Sequence, residues 1–108
     1  EHLKSIVEHL ALSIGPRPYS RPKVLEAARD YIRQKLEASG LKTSLQGFRY
    51  RNNLYWNILL AQDNPLSTDY GPEGVIVVGA HYDTVSRSPG ADDNASGIAG
   101  LIELSRLL

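Results

Sequence analysis

Leu3, Ile6, Val7, Leu10, Ala11 and Ile14 recur three or four residues apart, the pattern of an amphipathic helix, and Gly15-Pro16 ends it. His2 and His9 lie on its polar side and are expected to face solvent. Pro22 then occupies a first-turn position, and Leu25, Ala28, Ile32 and Leu36 form one stripe before Gly40. This predicts a second helix over about 22–39. From Leu41 the texture changes to β-branched and aromatic residues. Thr43, Leu45, Phe48 and Tyr50 precede Arg51-Asn52-Asn53, and Leu54 to Ala61 follow, which predicts a β-hairpin. Asp63 to Gly74 is rich in turn formers and aperiodic, so it reads as a loop. Val75-Ile76-Val77-Val78 has the continuous apolar character of a strand covered on both faces. Beyond Asn94, Ile98, Leu101, Ile102, Ser105 and Leu108 share a helical face. Ala95, Ser96, Gly97, Ala99 and Gly100 are small enough for close backbone approach.

Composition changes this picture little. With 108 residues, 42% hydrophobic and 22% charged, the chain has the make-up of one globular domain, and no repeat or low-complexity tract divides it. Lys+Arg and Asp+Glu balance at 12 each, so no global field favours nucleic acid or an anionic membrane. No apolar run approaches the roughly 18 residues of a membrane span, and no charged-then-apolar leader pattern opens the sequence. The absence of cysteine excludes disulfides and thiolate metal sites while leaving the compartment open. A sequence that starts at Glu1 and stops inside an apolar pattern is expected to be part of something longer.

The chemistry concentrates between Gly79 and Gly97, which reads GAHYDTVSRSPGADDNASG. In open α/β sheets ligands bind at the carboxyl ends of strands, which is where His81 and Asp93 fall. His81, Asp83 and Asp93 are side chains that bind or orient a borderline metal such as zinc. In extended backbone, residues two apart point to the same face, so Asp83 can take the second ring N–H of His81 and fix its tautomer. Asp93 follows twelve positions after His81, across the turn-forming Ser88-Pro89-Gly90, and can fold back to the same point. His81 and Asp83 by themselves would also be satisfied as a local hydrogen-bonded pair without a metal.

GAHYDTV followed by PGADDNASG and a small-residue helix resembles the first metal-binding segment of the M28-type zinc aminopeptidases. The resemblance extends to the N-terminal helix, Gly15-Pro16-Arg17, the long helix, a hairpin asparagine at Asn57 and the central strand. It implies an α/β fold, a partial three-layer sandwich with a mixed sheet, of which residues 1–108 are the N-terminal portion of one zinc-exopeptidase catalytic domain. It also implies that His81 is a ligand of one zinc, that Asp93 bridges two, that Asp83 orients His81, and that a non-proline cis peptide joins Asp93 to Asn94. The reaction implied is removal of N-terminal residues from peptides with a free N-terminus. In the family the general-base glutamate and the remaining ligands lie downstream, so the 108-residue chain alone is expected to bind zinc weakly and hydrolyse nothing. Surfaces that the remainder would cover are expected to leave it prone to self-association. A glutaminyl-cyclase-like acyltransferase and a peptidase-like binding module without metals are the alternative outcomes.

Other motifs compete less well. Asp92, Asn94, Ser96, Gly97 and Glu103 occupy positions 1, 3, 5, 6 and 12 of a calcium loop, but Pro89-Gly90 opposes the entering helix such a loop needs. Asn94-Ala95-Ser96 matches a glycosylation acceptor in a poor place for a sugar. Asp92 is expected to be a solvated or capping residue, and Arg17 to be structural. No nucleotide-binding glycine pattern, cysteine nucleophile or nucleophile elbow is present.

Overall fold

The computed structural model describes residues 2–60 and 74–108. Helix α1 (His2–Glu8) widens into a π-helical turn, His9–Ile14, that closes when the Gly15 N–H reaches the Leu10 carbonyl at 3.0 Å. Gly15 sits at φ 83°, ψ −155°, a conformation a side chain would resist, so the expected stop is where the helix ends. Helix α2 (Pro22–Glu37) starts on its proline, carries Lys35 in its last turn and buries Leu25, Ala28, Ile32 and Leu36. These are the four residues of the predicted stripe.

Strands β1 (Thr43–Tyr50) and β2 (Asn53–Leu60) pair antiparallel with Tyr50 opposite Asn53 and Thr43 opposite Leu60. Arg51 and Asn52, at φ 50° and 68°, form the two-residue turn between them. Left-handed values at both positions match the right-handed twist of the paired strands. Helix α3 (Ser96–Leu107) buries Ile98, Ala99 and Ile102. The core lies where α1, α2 and α3 meet, with Ile6, Leu10, Ala28 and Ile32 fully covered. Burial of each of Ile6, Leu10 and Ile32 contributes about 1.5–3 kcal/mol relative to exposure.

Four expectations are corrected. Val75 to Val78 form no strand pairing among the described residues and stand 56–90% exposed. A strand needs a hydrogen-bonding neighbour, which an apolar run does not itself supply. His9 is half-buried and stacks on Tyr31, ring centroids 3.9 Å apart, because the π-helical widening turns it toward α2. Leu108 lies past the end of α3 and is exposed. Gly97 does meet a close neighbour, the Asn94 side chain, but among the described residues no atom from outside its own helix backbone lies within 4 Å of where a Cβ at Gly100 would be. The described residues thus form a mixed α/β unit of three helices and a two-stranded antiparallel sheet. The predicted loop from Asp63 lies outside them up to residue 73.

Candidate metal centre

The side chains of residues 81–84 alternate. Tyr82 turns inward against the core, and its hydroxyl donates to the Trp56 carbonyl at 2.6 Å. Burial pushes its phenol up to about 12. With Tyr82 held inside, His81 and Asp83 emerge on the other side, 54% and 58% exposed. His81 Nδ1 lies 3.2 Å from Asp83 Oδ1 and 3.1 Å from the Asp83 carbonyl oxygen. Both are acceptors, which favours a proton on Nδ1.

Nε2 lies 3.0 Å from Asp93 Oδ1. A lone pair facing a carboxylate oxygen at that distance is repulsive unless a proton or a cation lies between them. Two neighbouring ligands on tetrahedral zinc, with bonds of about 2.0–2.2 Å, stand about 3.3–3.6 Å apart. The donor types fit a metal ion, and the pair need open by only a few tenths of an ångström to take one, with Asp83 on the far side of the ring. Among the described residues no group of three or more ligand-type side chains gathers. His81 and Asp93 could supply one edge of a coordination sphere.

Asp93 reaches this point through an unusual chain path. Gly90 adopts the left-handed conformation (φ 64°, ψ 43°), a kinked turn spans Ala91–Ala95, and the Asp93–Asn94 peptide is cis. Asn94 Oδ1 accepts from the Gly97 N–H at 3.2 Å, and the Ala95 N–H reaches the Gly90 carbonyl at 2.9 Å. Asp92 is exposed; its carbonyl accepts from the Ser96 hydroxyl at 2.8 Å. Glu103 pairs instead with Arg106, 2.6 Å away along α3.

Arg17 ties the His81 and Asp93 stretches together. It is fully buried, and its guanidinium donates to the carbonyls of Tyr82 at 2.7 Å, Pro89 at 2.9 Å, Leu10 at 2.7 Å and Gly15 at 2.9 Å. A longer bond reaches the Gly90 carbonyl at 3.5 Å. Its backbone N–H donates to Thr84 Oγ1, and the Thr84 N–H returns a bond to the Arg17 carbonyl. Burial lowers its pKa, which nearby Asp83 partly opposes, but a guanidinium stays charged throughout the working range. The structural role expected for Arg17 is present. Sequence alone did not reveal that one side chain spans both stretches.

Residues 60–108 match the sequence model of Peptidase family M28. A leupeptin-inactivating enzyme of Streptomyces exfoliatus is 32% identical over 94% of the chain and 22% of its own length. The chain belongs to peptidase family M28. An uncharacterised Escherichia coli protein, YfbL, is 36% identical to this M28 chain over its whole length and 34% of YfbL. Aminopeptidase YwaD of Bacillus subtilis is 50% identical over 32% of the chain and 8% of its own length. The M28 chain thus spans about a third or less of the curated relatives it matches. No solved structure matches it significantly.

A cavity of about 380 Å³ opens over the centre, lined by His81, Asp83 and Asp93 together with Pro18, Tyr19 and Val85. The first three were expected at a site. Tyr19 and Val85 were not, because nothing in their spacing separates a cavity wall from an ordinary loop. Among the described residues no helix is long and apolar enough to cross a membrane.

Proposed function

We propose that the full-length protein is a zinc-dependent aminopeptidase, with His81 and Asp93 as metal ligands and Asp83 as the residue that orients His81. The observation that carries this reading is the convergence of His81 Nε2 and Asp93 Oδ1 at 3.0 Å while Asp83 holds the opposite ring nitrogen. Support comes from the names of relatives in Bacillus subtilis and Pseudomonas aeruginosa, both called aminopeptidases, similar over about a third of this chain. Bound zinc would polarise the scissile carbonyl and activate the attacking water, as in two-metal hydrolases. Asp83 keeps the imidazole proton on Nδ1, so that the Nε2 lone pair stays available. Asp93, 81% exposed, offers a second carboxylate oxygen to an ion or to a neighbouring ligand. The substrate is a peptide with a free N-terminus.

Two ligands on one edge hold zinc weakly, and this chain by itself is proposed to hydrolyse nothing. The test is zinc content and peptide release from the full-length protein, compared with His81→Asn and Asp93→Asn. Each variant should lose metal and at least about a hundredfold in kcat/KM. Full zinc occupancy and activity in both would sink the assignment. Micromolar zinc binding or turnover by the isolated 108 residues would refute the proposal that the chain alone is insufficient.

A further inference from the structure

Resting on the metal-ligand reading above, we propose that Arg17 is a positioning residue of that centre, whose guanidinium sets the distance between His81 and Asp93 and thereby the affinity for zinc. The two ligand side chains are 54% and 81% exposed, so core packing does not fix them and their placement is inherited from the backbone beneath. That backbone comes in two stretches, 81–84 and 89–95, with Val85, Ser86 and Arg87 exposed between them. Arg17 holds both. Its Nε donates to the Tyr82 carbonyl, between His81 and Asp83, while its N–H and carbonyl pair with Thr84 on the far side of Asp83. Its Nη1 donates to the Pro89 carbonyl and its Nη2 to the Gly90 carbonyl. The Gly90 carbonyl also accepts from the Ala95 N–H, which closes the turn that carries Asp93.

Arg17 is itself held still. Pro16 and Pro18 flank it, which fixes φ on either side and pushes Arg17 toward extended backbone. Two residues on, the Tyr19 carbonyl is fastened to the hairpin by the Tyr55 hydroxyl at 2.6 Å. Nη1 also donates to the carbonyls of Leu10 and Gly15, and Leu10 is fully buried in the core. One side chain referenced to the core therefore carries both ligand stretches. A guanidinium is a planar fork whose nitrogens keep fixed mutual positions, so it also fixes how far apart the carbonyls it grips can stand. An ion that meets ligands already gathered loses less of its binding free energy to ordering the chain. Lysine cannot reproduce this arrangement. A single Nζ serves the Nη1 acceptors at best and leaves the Tyr82 and Gly90 carbonyls without their donors.

The experiment measures the zinc Kd of the full-length protein, by competition with a chromophoric chelator, for the parent, Arg17→Lys and Leu25→Ala. Leu25 is buried on α2 and lies outside the core cluster that includes Ala95, so its truncation controls for lost stability alone. Arg17→Lys should raise the Kd at least about tenfold, the scale of loss at residues that orient metal ligands, while Leu25→Ala should stay within about twofold of the parent. Because lysine keeps the charge, that rise reports lost geometry. Should Arg17→Lys fail to fold, Thr84→Val carries the same test. It takes away the hydroxyl that receives the Arg17 N–H and should raise the Kd about threefold. A parent-like Kd in the folded variant, or an equal rise in Leu25→Ala, would overturn the positioning role alone. If the unmutated full-length protein binds no zinc, the metal-ligand reading fails and the positioning role fails with it.

Discussion

Gly90→Ala should disturb both the stability of the fold and the placement of Asp93. The backbone at Gly90 is left-handed, which costs alanine about 1–2 kcal/mol. A methyl there would also lie 2.3 Å from Thr84 Cγ2, 2.7 Å from the Asp93 carbonyl oxygen and 3.1 Å from Arg17 Nη2. Ordinary carbon contacts are about 3.5–4.0 Å. Thr84 is poorly placed to turn away, because its hydroxyl both accepts from the Arg17 N–H and donates to the Val85 carbonyl, each at 2.8 Å. Overpacking of this kind adds about 1–3 kcal/mol, for a sum of about 2–5 kcal/mol. The Asp93 carbonyl can yield only by moving Asp93 itself. Urea unfolding followed by Trp56 fluorescence measures the loss, and the His81 ring resonances report the site. Thr84→Ser removes the crowded methyl but keeps the hydroxyl, so in the Gly90→Ala background it should restore about 1 kcal/mol that it does not contribute in the parent. A Gly90→Ala loss below 1 kcal/mol, or a double-mutant cycle with no coupling, would refute the steric account.

Three further outcomes follow from the structure. Arg17→Met keeps an apolar stem but orphans buried carbonyls, and should cost about 3 kcal/mol or more in urea unfolding; a near-neutral change would show that water or other donors replace the guanidinium. Tyr82 has its pKa raised to about 12 by burial, so the unfolded chain ionises first; its contribution is complete below the ordinary value of 10.0 and is lost as pH rises toward 12. Tyr82→Phe should flatten that alkaline decline in thermal melts, and an unchanged decline would contradict it. The 108-residue chain should self-associate through the exposed run at Ile76 and Val77, and Ile76→Lys should weaken this in sedimentation velocity; a clean monomer at high concentration would refute it.

Local physics made much of this fold legible in the sequence. The α2 stripe, its proline start and the hairpin turn are set within a few residues, and each lies close to where periodicity and turn chemistry put it. The pairing of His81 with Asp83 was legible for the same reason, since alternation along extended backbone needs no distant partner. The meeting of His81 with Asp93 was anticipated from the turn between them, but the means that hold it were not. Arg17 lies 65 residues before Tyr82 and 72 before Pro89, and no periodicity encodes a contact that long. The failure at Val75–Val78 has a related cause. An apolar run records a demand for burial, and whether a neighbouring strand meets that demand is decided elsewhere in the chain.

Among the described residues the Arg17 guanidinium donates only to main-chain carbonyls, and every residue type supplies one. The acceptors at Leu10, Tyr82 and Pro89 belong to the backbone rather than to a side chain, so the tie constrains the route of the backbone rather than its lettering. For engineering, this makes the loop over the centre an exchangeable cassette. Sequences grafted between Thr84 and Pro89 that return a carbonyl to the place of Pro89, with Thr84 and the Gly90 turn kept, should inherit the placement of Asp93.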